Sequence, residues 1–538
     1  MTLRELLDRA IFRLKAEATG SQAAATGSPA EATRSQAQTS ASQTDARGFR
    51  LQAEVSDREV TAIAYDSRQV KPGTLFVALR GVNADGARFV PQAVANGAIA
   101  VVAETAAPAG LAVPWFQVPA ARSALAQLAA AFYGNPSEEL ALVGITGTNG
   151  KTTTSYVLAS IFEAAGIKCG RIGTIGYRVG ARELDAPRTT PEAPELQQML
   201  RDMLKEGCGA CVMEVSSHAL ALRRADHLRF AAGIFTNLTR DHLDFHGDME
   251  SYFSAKRRLF EILPDGAVGV INADDRRGAE LAATARRPVT YAIDAAADVR
   301  PGPLTFSLDG LAFEVRTPRG TFHVRSPLVG RPNAYNILAA AAAAMALDVP
   351  FSAIEAGVSN LENVPGRFQV VSEPADEVRV IVDYAHTDDA LKNLLETARP
   401  LATGRLVTVF GCGGDRDRTK RPLMGAVAAR LSDLVIVTSD NPRSEDPEKI
   451  IDEIRRGIVM PADRIAPKGQ KGTPSLAIVD RREAIEKAVR EARLGDLILI
   501  AGKGHEKYQV IGDRTLPFDD VEVARAALGR RRSGSRVT

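Results

Sequence analysis

The chain has 538 residues, which is too long for one hydrophobic core and predicts three or four domains. Its 45% apolar and 25% charged residues are typical of a globular protein and exclude a disordered or fibrous class. Because 67 Lys and Arg balance 65 Asp and Glu, no overall field favours nucleic acid or an anionic membrane. Any anionic ligand must be held by a local cluster.

The sequence favours a cytoplasmic protein. Its four cysteines are too few to cross-link a chain of this size, which indicates a reducing compartment. The N-terminal residues mix Arg4 and Asp8 with apolar residues and lack the apolar core of a signal peptide. The longest apolar run, 337–347, is far short of the ~18 residues that a membrane span needs. We therefore expect no membrane insertion.

The N-terminal part predicts a small α/β domain. Residues Leu3 to Leu14 have the apolar periodicity of a short amphipathic helix. Thr19 to Gly48 contains no Val, Ile, Leu, Met or aromatic residue, so we predict a flexible insert there. Short strands are predicted at 75–79 and 98–102, and the domain is predicted to end near Pro119.

Two further α/β series follow. In the first, helices are predicted at 123–132, 152–165 and 252–259, strands at 140–145, 210–213, 231–235 and 268–271, and a hairpin at 306–324. In the second, strands are predicted at 378–382, 405–410, 434–437 and 496–501. Strands that alternate with helices predict parallel sheets covered by helices. We divide the chain into domains 1–119, 120–365 and 366–538.

The strongest motif is the segment Gly144 to Thr153, which lies between a predicted strand and a predicted helix. Its glycines let backbone N–H groups approach phosphate oxygens, Lys151 adds a positive charge, and the Thr152 hydroxyl can bind Mg²⁺. The usual pattern has a glycine at position 145, where this chain has Ile145. The motif predicts ATP or GTP binding.

Polar residues follow several predicted strands of the central series. Glu214 comes after the strand 210–213 and opens a polar string that ends at His218, so it is a candidate Mg²⁺ ligand at the edge that holds the phosphate loop. A second polar string, 236–244, contains His242. A single histidine is more often a packing residue than a ligand. Cys208 and Cys211 have no second pair and are predicted to be core residues.

The C-terminal series has four strands that each end in a polar tip. The tips are Asp383 to His386, Gly411 to Arg416, Asp440 to Arg443, and Gly502 to Glu506. Ligands of open α/β sheets bind at the carboxyl ends of strands, so the four tips predict one binding floor. Arg416 and Arg443 suit a carboxylate or phosphate, and Glu506 suits an ammonium group. The residues alone indicate an ATP-dependent enzyme with an amino-acid-like second site, and leave open phosphorylation and amide formation.

Taken together and in order, these strings resemble the Mur ligase family over nearly the whole chain outside Thr19 to Gly48. The resemblance implies a small N-terminal α/β domain that binds UDP, a central P-loop domain with a parallel sheet, and a C-terminal Rossmann-like domain. It also implies a monomer that uses ATP and Mg²⁺ in cytoplasmic peptidoglycan precursor synthesis. The implied reaction adds meso-2,6-diaminopimelate to the D-glutamate of UDP-N-acetylmuramoyl-L-alanyl-D-glutamate through an acyl phosphate.

The resemblance also assigns site residues. It implies ATP contacts at Gly147, Thr148, Asn149, Gly150, Lys151, Thr152, Thr153, Asn272, Asn333, Asn336, Arg367 and Asp383. It implies Mg²⁺ ligands at Thr152, Glu214, His242 and Lys256, the last matching a lysine that is carbamylated in the family, and catalytic roles for Lys151, Glu214, His242 and Lys256. It implies contacts with the UDP-sugar peptide at Ser67, Asn83, Ala84, Thr189, Thr190, Ser216, Arg224 and Lys256. It implies diaminopimelate contacts at Arg416, Asp440, Asn441, Pro442, Arg443, Gly502 and Glu506.

Three alternatives remain. A lysine-adding ligase or a ligase like folylpolyglutamate synthase is disfavoured by the segment Asp66 to Arg68 and by Arg443, which would answer a second carboxylate that lysine lacks. A nucleotide-binding scaffold without catalysis is disfavoured by the intact set of catalytic residues. Leu222 and Asp388 depart from the family pattern, where glutamine and proline are common. The basic segment Arg530 to Arg532 is predicted to be a solvated end and no nucleic-acid site.

Overall fold

The computed structural model describes residues 1–10, 50–51, 57–81, 85–458 and 473–535. The predicted insert at 19–48 lies outside the described residues, as do Asn83 and Ala84. Three mainly parallel sheets follow one another along the chain, and helices pack on their faces. The α/β fold class predicted from the sequence is confirmed.

The first sheet contains four parallel strands and one short antiparallel strand. In spatial order its strands are Arg50–Leu51, Trp115–Gln117, Ala98–Ala103, Thr74–Val77 and Ala62–Ala64, and its helices are 3–10, Val90–Ala95 and Ala121–Phe132. Leu3, Leu6 and Leu7 are buried in the same core as strand residues Leu75 and Val77. The predicted amphipathic helix is thus confirmed over residues 3–10.

The second sheet has eight strands and carries the phosphate loop. In spatial order the strands are Pro288–Tyr291, Val268–Asn272, Ala232–Phe235, Ala141–Thr146, Ala210–Glu214, Cys169–Ile172, Tyr177–Val179 and Arg182–Leu184. The first six are parallel and the last two pair antiparallel. The helices are Lys151–Ala164, Ala193–Lys205, Ser217–Ala221, Leu243–His246, Met249–Glu261, Gly278–Thr284, Arg331–Ala346 and Phe351–Asn360.

The strands of this sheet extend further than their apolar runs predicted. Glu214 is the last residue of its strand rather than the first residue after it, because it pairs with Ile145 in the neighbouring parallel strand. Asn272 likewise ends the strand Val268–Asn272.

The predicted hairpin is confirmed, since Gly310–Thr317 pairs antiparallel with Gly320–Ser326. Arg300–Pro301 and Thr305–Ser307 complete that small sheet. Cys208 and Cys211 are free and buried in the apolar core, as predicted.

The third sheet has six strands, of which five are parallel. In spatial order they are Gln369–Val370, Arg379–Asp383, Leu497–Ala501, Leu406–Phe410, Leu434–Val437 and Ser475–Ala477. The helices are Asp388–Ala398, Lys420–Leu431, Pro447–Ile458, Arg481–Arg490 and Asp520–Ser535, and the sequence did not predict the hairpin formed by Tyr508–Ile511 and Arg514–Pro517. The four predicted strands are present, each beginning within a residue of its predicted start.

The basic end is exposed to solvent, as predicted, but it is also helical and ion-paired: the side chains of Arg530 and Arg532 are 59% and 42% exposed. Arg530, Arg531 and Arg532 belong to the helix Asp520–Ser535, which packs on the helix Arg481–Arg490. They form ion pairs with Glu486 at 2.9 Å, Glu377 at 3.2 Å and Glu373 at 2.6 Å, respectively. The positive charges of this segment are therefore paired with acidic side chains of the same chain.

The carboxyl edges of the second and third sheets face each other. The Arg367 guanidinium donates to the Thr152 hydroxyl over 3.2 Å, and the Asn149 amide donates to the Asp389 carboxylate over 3.1 Å. Arg240 donates to Thr419 over 2.5 Å. These contacts bring the predicted phosphate loop to the predicted amino-acid site.

Candidate active site

The phosphate loop has a backbone that only glycine can follow at two positions. Gly147 has a φ of +145° and Gly150 a φ of +89°. A Cβ at Gly147 would lie 1.9 Å from Thr236 Oγ1, and a Cβ at Gly150 would lie 2.4 Å from Asn336 Oδ1. The loop is therefore closed against the tip of the next strand and the start of a helix, as backbone binding of phosphate requires.

Lys151 folds back across this loop. Its Nζ donates to the carbonyl oxygens of Gly147 and Thr148, both at 2.9 Å. Burial lowers the pKa of Lys151, although the carboxylates of Glu214 and Asp241 oppose the shift. An anion bound at the loop would raise the pKa of Lys151 again, because opposite charge stabilises the ionised form.

The remaining loop residues are fixed by the polar string that follows the strand Ala232–Phe235. The Thr148 hydroxyl donates to the Thr239 carbonyl at 3.1 Å and lies 3.2 Å from the Tyr252 hydroxyl. The Asn149 N–H donates to the Asn237 side chain at 2.9 Å. Thr152 and Thr153 are buried in the first turn of the helix Lys151–Ala164.

Glu214 is buried at the carboxyl end of its strand. Its two carboxylate oxygens accept from the Thr174 backbone N–H at 2.9 Å and the Thr174 hydroxyl at 3.0 Å. Because Glu214 pairs in register with Ile145, its carboxylate stands beside the start of the phosphate loop. The predicted closeness of Glu214 and the loop is confirmed.

Four of the residues assigned to the UDP-sugar peptide lie together next to Glu214. The Thr190 hydroxyl donates to the Glu214 carbonyl at 2.9 Å and accepts from the Ser216 N–H at 3.1 Å. Arg224 donates to the Thr190 carbonyl at 3.1 Å, and Thr189 contacts Thr174 through hydroxyls 3.1 Å apart. Ser67, in the first sheet's region, donates to Gln92 at 2.8 Å and does not contact this cluster.

His242 and Lys256 lie on the other side of the loop. The Lys256 ammonium is buried, donates to the Gly147 carbonyl at 2.7 Å and lies 4.4 Å from the centroid of the Tyr252 ring. Burial, and then the nearby Lys151, hold the pKa of Lys256 well below its usual value. Burial also lowers the pKa of His242 to about 4, so its ring is neutral at pH 7.

The three asparagines assigned to ATP outside the loop itself pack around the loop rather than at one point. Asn336 donates to Asn333 at 3.0 Å and accepts from the Thr154 hydroxyl at 3.3 Å. Asn333 donates to the Val329 carbonyl, and Asn272 donates to the Thr236 carbonyl, both at 2.8 Å.

The C-terminal region contributes Arg367 and Asp383. The Arg367 guanidinium lies 4.6 Å from the centroid of the Tyr384 ring and reaches Thr152. Asp383 is held by the backbone N–H groups of Phe368 and Ala385, both at 2.7 Å. Burial raises the pKa of Asp383.

A polar cleft of about 550 Å³ opens between the two sheets. It is lined by Arg416, Asp440, Asn441, Arg443, Gly502 and Glu506 of the predicted amino-acid site, together with Arg240, Asp241 and His242 from the central region. Pro442 is the exception: it does not line the cleft, and its carbonyl accepts from the Glu445 N–H at 3.0 Å. All the other residues of that predicted site meet in one place.

Arg443 is held in a defined pose. Its φ is +53°, its N–H donates to the Val510 carbonyl at 3.0 Å, and its Nη1 donates to the Gly414 carbonyl at 2.7 Å. Among the described residues, no other hydrogen bond of this guanidinium is found. Its remaining donors can therefore bind a carboxylate in a forked geometry.

Sequence reasoning missed three groups in the site. Asp241 lines the cleft and lies close enough to Lys151 and Lys256 to affect the pKa of both amines. Lys503 is buried among the residues of the amino-acid site. Asp389, in the first turn of the helix Asp388–Ala398, contacts Asn149, and burial raises its pKa. Asp241 and Lys503 stand in strings that the sequence did mark, but their burial and partners come from distant strands.

Asp388, at a position where the family often has proline, is the first residue of the helix Asp388–Ala398. Proline and acidic residues are both favoured in a first helical turn, for backbone and electrostatic reasons respectively. The departure at Asp388 is therefore compatible with the helix start. Nothing in the structure explains Leu222, which follows the short helix Ser217–Ala221.

The phosphate loop of the second sheet lies beside a cleft of amino-acid size between the second and third sheets. This arrangement is typical of a nucleotide-dependent ligase or transferase. Family models for the Mur ligase family catalytic domain, the Mur ligase middle domain and the Mur ligase glutamate ligase domain match residues 59–133, 145–344 and 366–504. The chain belongs to the Mur ligase family, whose members are ATP-dependent, ADP-forming ligases.

Its relatives are consistent in name. The UDP-N-acetylmuramoyl-L-alanyl-D-glutamate--2,6-diaminopimelate ligase of Geobacter sulfurreducens is 50% identical over 89% of this chain and 96% of the relative. The ligase of the same name from Solibacter usitatus is 49% identical over 89% of this chain and 95% of the relative. A solved structure of a ligase of that name is 36% identical, with a TM-score of 0.64 over 89% of this chain and 97% of the solved chain.

A more distant solved structure shares the fold. It is the MurF ligase of Thermotoga maritima in complex with ADP, 20% identical, with a TM-score of 0.60 over 88% of this chain and all of the solved chain. In the part of the chain that the structure describes, no helix is long and apolar enough to cross a membrane.

Proposed function

We propose that this chain joins meso-2,6-diaminopimelate to the D-glutamate of UDP-N-acetylmuramoyl-L-alanyl-D-glutamate, with ATP and Mg²⁺, as a cytoplasmic monomer in peptidoglycan precursor synthesis. The observation that carries the proposal is the cleft lined by Arg416, Arg443, Asp440 and Glu506, beside a phosphate loop. Cationic groups and carboxylates in the same cleft suit an amino acid that has a second carboxylate. The names of the relatives support the same substrates.

In this proposal the chain divides into three working parts. Residues 1–119 hold the UDP end of the substrate, with Ser67, Asn83 and Ala84 as contacts. Residues 120–365 hold ATP and the reacting carboxylate, and residues 366–538 hold the incoming amino acid. The contacts of Arg367 with Thr152 and of Asp389 with Asn149 support a reaction at the interface between residues 120–365 and residues 366–538.

ATP is proposed to bind with its triphosphate on Gly147 to Thr153. The positive φ of Gly147 and Gly150 and the buried Lys151 support this assignment. Arg367, which already reaches Thr152 from the other sheet, is proposed to add positive charge on the opposite side of the phosphates. Asn272, Asn333, Asn336 and Asp383 are proposed to shape the nucleotide pocket around the loop.

The donor atoms near the loop suit Mg²⁺, which prefers hard oxygen ligands and takes few of them from the protein. Among the described residues, no group of three or more His, Cys, Asp or Glu side chains that could hold a metal ion is found. The Glu214 carboxylate and the Thr152 hydroxyl supply two oxygens beside the loop, and His242 has a neutral ring. When bound there, Mg²⁺ would neutralise charge on the phosphate oxygens.

Lys256 is proposed to be carbamylated. Burial and the nearby Lys151 hold the pKa of Lys256 well below its usual value, which favours the neutral amine, and a neutral amine can attack CO₂ with loss of one proton. The product is a carbamate anion, which would place a negative charge beside the Lys151 amine. That charge would favour the ionised form of Lys151, and the carbamate would add a third oxygen donor to Glu214 and Thr152.

The proposed reaction has two steps. An oxygen of the D-glutamate carboxylate attacks the γ-phosphorus of ATP, so that an acyl phosphate forms and ADP leaves. Thr189, Thr190, Ser216 and Arg224 are proposed to hold the UDP-sugar peptide beside Glu214 during this step. The neutral amine of the amino acid then attacks the acyl carbon, and the tetrahedral intermediate collapses with loss of phosphate. Lys151 and Arg367 would stabilise the charge that develops on the transferred phosphoryl group.

Isotope transfer and product mass test the proposal together. The protein is incubated with ATP, Mg²⁺, meso-diaminopimelate and a UDP-dipeptide whose D-glutamate side-chain carboxylate carries ¹⁸O. We expect one ¹⁸O in the released phosphate, and a product whose mass equals that of the two substrates less one water. Lys151→Ala is the matched control and should give neither product. Phosphate without ¹⁸O, formed together with the amide, would contradict the acyl phosphate.

A further inference from the structure

The amino-acid cleft rests on a buried lysine that does not line it. The Lys503 side chain has no exposed surface, whereas its neighbours Asp440, Asn441 and Glu506 line the cleft. Its Nζ lies 3.1 Å from Asn441 Oδ1, 3.2 Å from Glu506 Oε2 and 3.4 Å from Asp440 Oδ1. An ammonium group is costly to bury unless it is paired, and here it has three oxygen partners.

These partners come from strands that are not neighbours. Asp440 and Asn441 follow the strand Leu434–Val437, while Lys503 and Glu506 follow Leu497–Ala501. The strand Leu406–Phe410 lies between those two strands in the sheet. The two strands therefore share no direct ladder of hydrogen bonds, and Lys503 connects their tips directly.

A second buried cation, Arg481, contacts the backbone at the ends of the same two strands. Arg481 forms a fully buried ion pair with Asp520 at 2.7 Å. Its guanidinium also donates to the carbonyls of Ser439 at 3.4 Å and Ala501 at 3.0 Å, the residues just before the two tips. Arg481 thus fixes the backbone of the tips, and Lys503 fixes the side chains that line the cleft.

The charge of this group is suited to an incoming ammonium. Asp440 and Glu506 bring two negative charges and Lys503 brings one positive charge, which leaves one negative charge for the substrate. The Asn441 amide also donates to Glu506 at 2.8 Å and so directs that carboxylate. Without Lys503, two carboxylates within reach of one ammonium would face each other across a partly dry site, where like charges repel strongly.

We infer that Lys503 is a positioning residue, which holds Asp440, Asn441 and Glu506 in the arrangement that binds the amino groups of the amino-acid substrate. The inference rests on the proposed function for the identity of that substrate. Lys503 touches the substrate's binding residues and not the substrate, so it acts on amino-acid affinity and leaves ATP binding unchanged.

The test compares Lys503→Met with Lys507→Met, which removes an exposed lysine four residues further along the chain. We expect Lys503→Met to raise the KM and the calorimetric Kd for meso-diaminopimelate at least about tenfold. We expect the KM for ATP to stay within about twofold and the control to match the wild type. Calorimetry measures the Kd for the amino acid without turnover. A failure of the proposed reaction would instead appear as a lack of turnover in the wild-type protein.

The pH dependence of binding separates positioning from a general loss of structure. In Lys503→Met, protonation of one of the two facing carboxylates would reduce the repulsion between them, and a protonated carboxyl binds an ammonium poorly. The affinity of the variant should therefore fall further as the pH is lowered, and that of the wild type should change less. Among the described residues, the other charged or titratable groups that interact with these carboxylates are Arg481, Tyr384, Cys412 and Tyr508, and they are kept in both proteins.

A melting curve shows whether Lys503→Met folds. If it does not, Lys503→Gln carries the same test, because its amide keeps hydrogen-bond donors but no charge. The inference is overturned if a folded variant keeps wild-type affinity for the amino acid, or if it loses ATP and amino-acid affinity equally with an unmoved pH profile. It is also overturned if wild-type protein does not bind meso-diaminopimelate at all.

Discussion

Arg443→Ala tests the proposed choice of amino acid. The substitution removes the guanidinium but keeps the backbone bonds that fix this residue, since its N–H donates to the Val510 carbonyl and its carbonyl accepts from the Gly512 N–H at 2.7 Å. The φ of +53° is as uncommon for alanine as for arginine, so the strain at this position does not change. We therefore expect the variant to fold.

The expected loss follows from the bonds that the guanidinium can make. One donor is engaged by the Gly414 carbonyl, which leaves a forked pair for a substrate carboxylate. Hydrogen bonds to a charged group contribute about 1.5–3 kcal/mol. That range corresponds to a rise of about 10- to 150-fold in the KM for meso-diaminopimelate. The KM for ATP should stay within about twofold, because Arg367 and not Arg443 reaches the phosphate loop.

The assay is phosphate release at saturating UDP-dipeptide, with meso-diaminopimelate and ATP varied in turn. Arg456→Ala, which removes an exposed arginine on the helix Pro447–Ile458, is the matched control and should behave as the wild type. Arg443→Lys should recover only part of the loss, because an ammonium cannot form the fork. An equal loss for ATP and for the amino acid would refute the assignment of Arg443 to the second carboxylate.

Three other variants test other parts of the account. Gly150→Ala should weaken ATP-analogue binding at least about tenfold, because the new Cβ would lie 2.4 Å from Asn336 Oδ1; an unchanged calorimetric Kd would contradict the loop assignment. Wild-type activity should rise with added bicarbonate while Lys256→Ala stays insensitive, and a wild type indifferent to bicarbonate would count against carbamylation. Arg421 holds the pKa of Glu445 down to about 2, so this pair stabilises the fold above about pH 4.5 and the contribution is lost as pH falls towards 2. Urea midpoints of Glu445→Gln should therefore fall less steeply over that interval, and parallel curves would refute the pairing.

Much of the site could be predicted because its polar residues stand where apolar strands end. The tips at Glu214, Asp383, Asp440 and Gly502 all follow strands that the sequence predicted, and parallel strands bring their carboxyl ends to one edge. The exact ends of the strands could not be predicted from their apolar runs, since pairing with a neighbouring strand adds one residue to the strand that ends at Glu214.

What the sequence did not reveal depends on contacts between distant segments. The roles of Lys503 and Arg481 arise only when two strands are separated by a third, which no local pattern encodes. The edge strands Gln369–Val370 and Ser475–Ala477 are too short to show a period. The ion pairs of the basic segment could not be predicted, because its acidic partners, Glu373 and Glu377 among them, lie far away in the chain.

The most direct test of the central claim is phosphate release by the purified protein with ATP, Mg²⁺ and UDP-N-acetylmuramoyl-L-alanyl-D-glutamate. Three reactions are compared, with meso-diaminopimelate, with L-lysine and without an amino acid. We expect release only with meso-diaminopimelate, together with the corresponding UDP-tripeptide in the mass spectrum. Release with L-lysine would keep the ligase reaction and contradict the role of Arg443, and no release with either amino acid would contradict the proposed reaction itself.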